Sequence, residues 1–310
     1  MAKSMQKMLL LAAVETVSGT PVVPLPGTNA ILTRNPVFNM IDGEQVERNL
    51  MKPFKGNSGK LFVGEHRKFT FEVELAGSGV AGTAPAWSPL LQACGFAETV
   101  TAGVDVTFNP VSQGEPTLTL YGYLDGTLFT VSGAKGNVSF ELNAKQIPVM
   151  KFEFTGSYSA ATEPGMPGGV DYSAFIMPKT VGKTNTPTFT FFGLNACTSA
   201  FSINWGNTVT WRDLINCAGA HSPTRSPTGS ATIELPKADQ VNWGEKVRTS
   251  DVGSATLVHG VTAGNIIELQ MPRLQSGIGT VNNDADIAML QLPFDLMPDQ
   301  GDDELVIICR

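Results

Sequence analysis

The chain has 310 residues, a formal net charge of −7 and only 16% charged residues. The acidic balance excludes a general nucleic-acid binder, whose footprint would be basic, and so small a charged share suits a subunit buried on several sides by copies of itself. Hydrophobic residues make up 42%, with 32 Gly and 20 Pro: a turn-rich β protein with ample core, built as one large or two medium domains.

The first residues, MAKSMQKMLLLAAVET, imitate an export signal. The apolar run spans only Met8 to Val14, Glu15 interrupts it, and no A-x-A site follows. No stretch reaches the ~20 apolar residues of a membrane span. Residues 1–35 therefore read as an N-terminal arm, a short helix followed by the extended SGTPVVPLPGTN. Strand signals start at Asn35. Residues 50–68 form a long basic connection carrying Lys52, Lys55, Lys60, His66, Arg67 and Lys68. From Phe69 to Leu75 apolar and polar residues alternate, as in a half-buried strand. Trp87 to Cys94 reads as a short helix, with Gly95 as its left-handed C′ residue. Further strands are expected at 104–108, 117–123, 127–131, 138–142 and 149–155.

Between 127–131 and 138–142 stands Gly133-Ala-Lys-Gly-Asn137, whose glycines and lysine suggest a phosphate loop. Such a loop opens a helix, and its lysine is followed by Ser or Thr. Here Gly136 follows Lys135, and Val138 to Leu142 has strand period. The stretch is predicted to be a hairpin turn.

Residues 161–188, rich in Gly, Pro, Ser and Thr, read as a linker between a first β domain (36–160) and a second (189–310). Strands of the second half are expected at 189–192, 201–204, 208–211, 230–235, 255–258, 265–271, 286–292 and 304–309. The halves echo each other. Thr70-Phe-Glu-Val-Glu-Leu75 resembles Ala231-Thr-Ile-Glu-Leu235, Val46-Glu-Arg-Asn-Leu50 resembles Val209 to Leu214, and Gly136 to Leu142 resembles Gly264 to Leu269. A duplicated β fold is expected, though the second half lacks an evident counterpart of the Leu-Leu-Gln-Ala-Cys-Gly helix.

No catalytic constellation is legible. The three histidines, His66, His221 and His259, have neither a nucleophile motif nor a second histidine at i+4. His66 reads as a solvated loop residue. Cys94, Cys197, Cys217 and Cys309 have no metal-ligand spacing and are expected to be reduced and mostly buried, in a protein made in a cytoplasm. Carboxylates cluster at 282–286 and 299–304; the latter lacks EF-hand spacing and, with Pro298 and Gly301, reads as a turn before the terminal strand. Trp87, Trp205, Trp211 and Trp243 read as core or interface anchors. No cofactor, metal site or catalytic residue is expected.

In three strands the polar positions gather on one face: Glu72 and Glu74, Glu141, and Glu153 beside Lys151, with Glu234 and Glu268 in matching places of the second half. Alternation alone leaves open whether this face meets outer solvent or an enclosed space.

The order of these motifs resembles the major tail tube proteins of phages with long non-contractile tails. The resemblance is densest over 12–160: AAVETVSGTPVVP, Val46 to Leu50, Phe71 to Gly77, APAWSPLLQACG, Phe108-Asn-Pro110, PTLTLYGYLDG, GAKGNVSFEL and KFEFTGSY. In the second half it rests on Pro227-Thr-Gly229 and Gly301 to Leu305. It implies a virion tail protein, assembled in the host bacterial cytoplasm, with a β-sandwich or half-barrel fold and a flanking helix. Rings of such folds close into one β-barrel and stack into a tube that conducts DNA without specific binding. It also implies tail terminator, tape-measure and distal tail proteins as partners, the six glutamates as lumen lining, and the 50–68 connection as inter-ring loop. Duplication favours three chains per ring over six. The alternative is an exported β-sandwich adhesin or pilus-like subunit.

Overall fold

The structure, a computed structural model, describes residues 2–310. Strand accounts for 49% and helix for 4%, so the fold is mainly β. The first half contains β1 (Met8–Val14), β2 (Ala30–Ile31), β3 (Arg34–Phe38), β4 (Asp42–Glu47), β5 (Lys60–Glu74), α1 (Ser88–Gln92), β6 (Phe96–Thr101), β7 (Asp105–Pro110), β8 (Leu118–Leu124), β9 (Thr127–Asn143) and β10 (Val149–Tyr158). After an irregular stretch come β11 (Thr188–Phe191), β12 (Leu194–Asn195), β13 (Thr198–Asn204), β14 (Thr210–Leu214), β15 (Cys217–His221), β16 (Thr228–Glu234), α2 (Trp243–Thr249), β17 (Val252–His259), β18 (Ile267–Ser276), β19 (Thr280–Asp284), β20 (Ile287–Leu296) and β21 (Val306–Cys309). Neither helix is long and apolar enough to cross a membrane.

Each half uses the same antiparallel pairing order. In the first it runs β1–β8–β9–β10–β5–β3. In the second it runs β11–β17–β18–β20–β16–β13, with β19 continuing the line of β18 along β20. Each half has one helix between the strands equivalent to β5 and β8. The register agrees residue by residue. Val149 to Phe154 opposes Glu74 to Phe69, and Met289 to Phe294 opposes Glu234 to Gly229. α2, with the Asn242 side chain accepting from the Glu245 N–H, is the helix the sequence did not disclose.

The halves join edge to edge. The last residues of β9 pair with β13, from Ala200 opposite Asn143 to Asn204 opposite Ser139. One inner sheet therefore runs β3–β5–β10–β9–β13–β16–β20–β19. A second junction pairs β21 with β7. Trp205 seals the joint, its indole N–H donating to the Cys94 carbonyl at 2.9 Å while its ring packs 4.5 Å from Phe96.

Three local readings are corrected. The head of the expected arm is no helix: β1 is a core strand paired with β8 and β2, because Leu9 to Ala13 are all buried. GAKGN is no hairpin turn either. β9 runs straight through it, with a bulge against β10 between Thr155 and Ser157. Gly133 takes the positive φ, and a Cβ on Gly136 would stand 2.5 Å from the Phe154 ring, so these glycines serve a bulge and a close approach. The turn itself is Asp125-Gly126, both at positive φ, closing Leu124 opposite Thr127. Third, α1 is capped at Ala93, so Gly95, left-handed as expected, lies one residue beyond C′ and donates to the Gln92 carbonyl.

Glu15 breaks the apolar run because its carboxylate is a buried cross-link. It accepts from the Gly19 N–H and Thr117 hydroxyl on one oxygen and from the Thr119 hydroxyl and Gly133 N–H on the other, at 2.5 to 2.8 Å. Substitution Glu15→Ala strands these donors and should cost about 3 kcal/mol in urea denaturation of the free subunit, with Glu15→Gln losing less.

His259 is buried, with Thr186 Oγ1 2.9 Å from its Nδ1, and burial lowers its pKa below the ordinary 6.5. The folded state thus binds this proton less readily than the unfolded chain, so the stability is present above pH 6.5 and is lost as pH falls from there toward the folded pKa. Melting curves between pH 8 and 5.5 should show a steeper acid-side loss for the native chain than for His259→Gln.

Candidate functional site

The inner sheet has one apolar and one polar face. Residues directly opposite in an antiparallel ladder share a face. Phe71, Phe152 and Val138 line up across β5, β10 and β9, buried toward the core. Glu72, Lys151 and Ser139 line up one position away, half-buried on the other face. Alternation adds Glu74, Glu153 and Glu141 to that face. It continues through Ser202 opposite Glu141, Ser230 opposite Ser202, and Thr232 and Glu234 along β16. Five of the six glutamates expected together, Glu72, Glu74, Glu141, Glu153 and Glu234, therefore share one continuous surface.

Glu268 does not. It lies at the start of β18, before that strand meets β20, with Val258 and Ile308 opposite. It is 7% exposed and paired with Arg310 at 2.5 Å. By register along β20, the counterpart of Glu141 is Asn282 on β19. The likeness of Gly264 to Leu269 with Gly136 to Leu142 misaligns the repeat.

The shared face also carries cations: by the same alternation Lys68 on β5 and Lys135 on β9, both opposite Thr155, lie on it with Lys151, and Arg34 opposes Glu72 from β3. Lys151 Nζ sits 2.6 Å from Glu141, and the bond to that carboxylate, with the Glu72 charge behind it, raises the lysine pKa. Arg34 approaches Glu74 at 3.6 Å from β3.

The second half of the basic connection is not a loop. Residues 60–68 belong to β5, and Asp42 to Glu47 pair with His66 to Lys60, making a projecting hairpin whose irregular tip is 48–59. Lys52 and Lys55 lie on that exposed tip, and Lys60 pairs with Glu47 at 2.9 Å. His66 is not a solvated loop residue. It stacks on Trp211 with centroids 5.8 Å apart and lies 3.7 Å from Asp42, which also meets Lys68 at 3.5 Å. Arg67 is 1% exposed. Its guanidinium donates to the Met40 and Thr130 carbonyls and lies over the rings of Phe129 and Tyr158, so it is a core tie with no surface role. Burial lowers its pKa.

Two elements had no sequence reading as sites. The outer edges of β3 and β19 end the inner sheet without a partner strand among the described residues. Apolar side chains crowd both: Leu32, Val37 and Met40 on one side, Ile278, Val281 and Ile287 on the other, all exposed. Exposed valine and isoleucine on an edge strand are the signal that could have marked them.

The remaining charged clusters make intramolecular contacts. Asp303 accepts from the Asp299, Gln300 and Gly301 N–H groups, while Asp302 and Glu304 hold Arg225 at 2.9 and 2.8 Å. The 282–286 cluster ends β19, and only Ala285 and Asp286, both at positive φ, turn into β20. Trp87, Trp205 and Trp243 are buried. Cys94 and Cys309 are buried, and burial raises their thiol pKa values, but Cys197 and Cys217 are exposed, so two of the four depart from the expectation.

No curated protein matches the chain. A family model described as phage tail tube protein matches residues 6–296. That span takes in both sheet halves, the acidic face and both open edges, and the chain belongs to the phage tail tube protein family.

Proposed function

We propose that the chain is the major tube subunit, forming rings of three that stack into a hollow tail in the host cytoplasm. The observation that carries this reading is the repeated pairing order joined through β9 and β13. Each chain then supplies two tube folds, and three chains make a pseudo-sixfold ring. A ring of six, with the second half as an exterior decoration, accords less well with an inner sheet that both halves build together. Counting copies per ring in a cryo-EM reconstruction of assembled tubes tests the stoichiometry.

We place the acidic face toward the lumen. A conduit works by not holding its cargo, and carboxylates lining it repel phosphates where lysines would bind them. DNA then passes without specific contact, and the ends of the tube meet the tail terminator and distal tail proteins, with the tape-measure protein inside. The projecting β4–β5 hairpin is the inter-ring element: Leu50, Met51 and Phe54 are exposed at its tip beside Lys52 and Lys55. Apolar tip residues suit burial in a neighbour, and the lysines suit steering toward an acidic surface.

Changing Glu72, Glu74, Glu141 and Glu153 to Lys should leave tubes visible by negative stain while reducing DNA delivery in infection assays; carboxylates on the outer surface of a reconstructed tube refute the assignment. Replacing 48–59 by Asn-Gly, a two-residue turn that suits the flanking strands, should leave a folded subunit that no longer forms tubes, read by circular dichroism and electron microscopy.

A further inference from the structure

The internal junction is a template for the external one. Along the inner sheet β19 stands to β20 as β9 stands to β10, and β3 stands to β5 as β13 stands to β16. Within the chain, the β9 edge is covered by β13. The equivalent β19 edge is open, and so is the β3 edge at the far end. We infer that β19 of one copy pairs antiparallel with β3 of the next, in the register of the β9–β13 junction. The inference rests on the ring-forming reading and specifies the strands and register that close the ring.

The register follows from ladders already described. Asn282 holds the place of Glu141, since Met289 and Val149 oppose them and these in turn oppose Glu234 and Glu74. Val37 holds the place of Ser202, since Thr70 and Ser230 oppose them. Inside the chain Ser202 faces Glu141 and Ile203 faces Phe140. Across the seam, Val37 then faces Asn282, Phe38 faces Val281, and Arg34 faces Asp284.

Three independent features agree. Phe140 and Ile203 form a buried apolar pair at the internal joint, 0% and 1% exposed, whereas Val281 is 58% exposed in the free subunit. The seam buries Val281 against Phe38 in the same manner. Arg34 meets Asp284 with opposite charge where the internal joint has Ala200 against Asn143. Finally, the β14–β15 hairpin reaches back across the internal joint to contact β5, β9 and β10. Its counterpart, the β4–β5 hairpin, has exposed Val46, Leu61, Phe62 and Val63. The seam lays this arm over β16, β18 and β20 of the neighbour. The bulge at Asn35-Pro36 leaves β3 a short, irregular edge, which disfavours indiscriminate strand addition and favours this one register.

Directly opposed strand residues lie about 4.5–5.5 Å apart at Cα, within disulfide range. In a Cys197→Ser, Cys217→Ser background, Val37→Cys with Asn282→Cys should, on oxidation of assembled tubes, convert most of the protein to a covalent trimer on a denaturing gel. Val37→Cys with Asn283→Cys points the two thiols to opposite faces and should remain largely monomeric. Tubes that form normally without cross-linking overturn the seam but leave the tube reading standing; failure of the native chain to form tubes overturns the reading itself. Should the cysteine variants fail to assemble, a reconstruction of native tubes decides: Val37 opposite Asn282 of a neighbour supports the seam, and any other strand pair there overturns it.

Discussion

The five-residue ladder between β9 and β13 is the constraint on which the rest depends. A sheet edge leaves backbone N–H and C=O groups unpaired, and each half of this chain has one such edge where the other has its match. Joining them satisfies the backbone at the centre of the molecule. It also aligns eight strands so that their apolar residues face one core and their carboxylates share one surface. Trp205, Arg225 and the β7–β21 pairing then lock the angle at which the halves meet.

Much of the inner sheet was legible because alternation is a two-residue code. Phe71, Val73, Phe152 and Phe154 could be placed on one face, and Glu72, Glu74 and Glu153 on the other, before any pairing was known. What alternation does not encode is where a strand ends. Gly133 and Gly136 looked like punctuation, yet the strand passes through them, since a glycine that lets a neighbouring Phe154 approach reads the same as one that turns the chain. The true turn, Asp125-Gly126, falls in the gap between the strands expected at 117–123 and 127–131 and carries the stronger hairpin signature.

The basic connection shows the opposite limit. Lys60 to Lys68 are polar enough to look solvated, but cross-strand partners decide burial, and Arg67 finds carbonyls and rings on β9, β10 and the β3–β4 connection. Glu268 has a local likeness to the first half, but ladder register aligns the two halves more securely than short matches and puts Asn282 in the place of Glu141. The N-terminal apolar run was a strand because β8, over a hundred residues away, needed an edge partner.

The two repeats are not equal outside the shared sheet. β6 and β7 intervene between α1 and β8, whereas α2 leads almost directly into β17. The β4–β5 hairpin has a twelve-residue tip, whereas β14–β15 turns in two residues at Ile215-Asn216. In a ring of three, long arms then alternate with short ones. Cargo inside meets walls that nearly repeat every 60°, but a ring settling on the one below finds equivalent seats only every 120°. In the proposed ring of three, unequal repeats therefore restrict stacking to three rotational settings, where six identical folds would allow six.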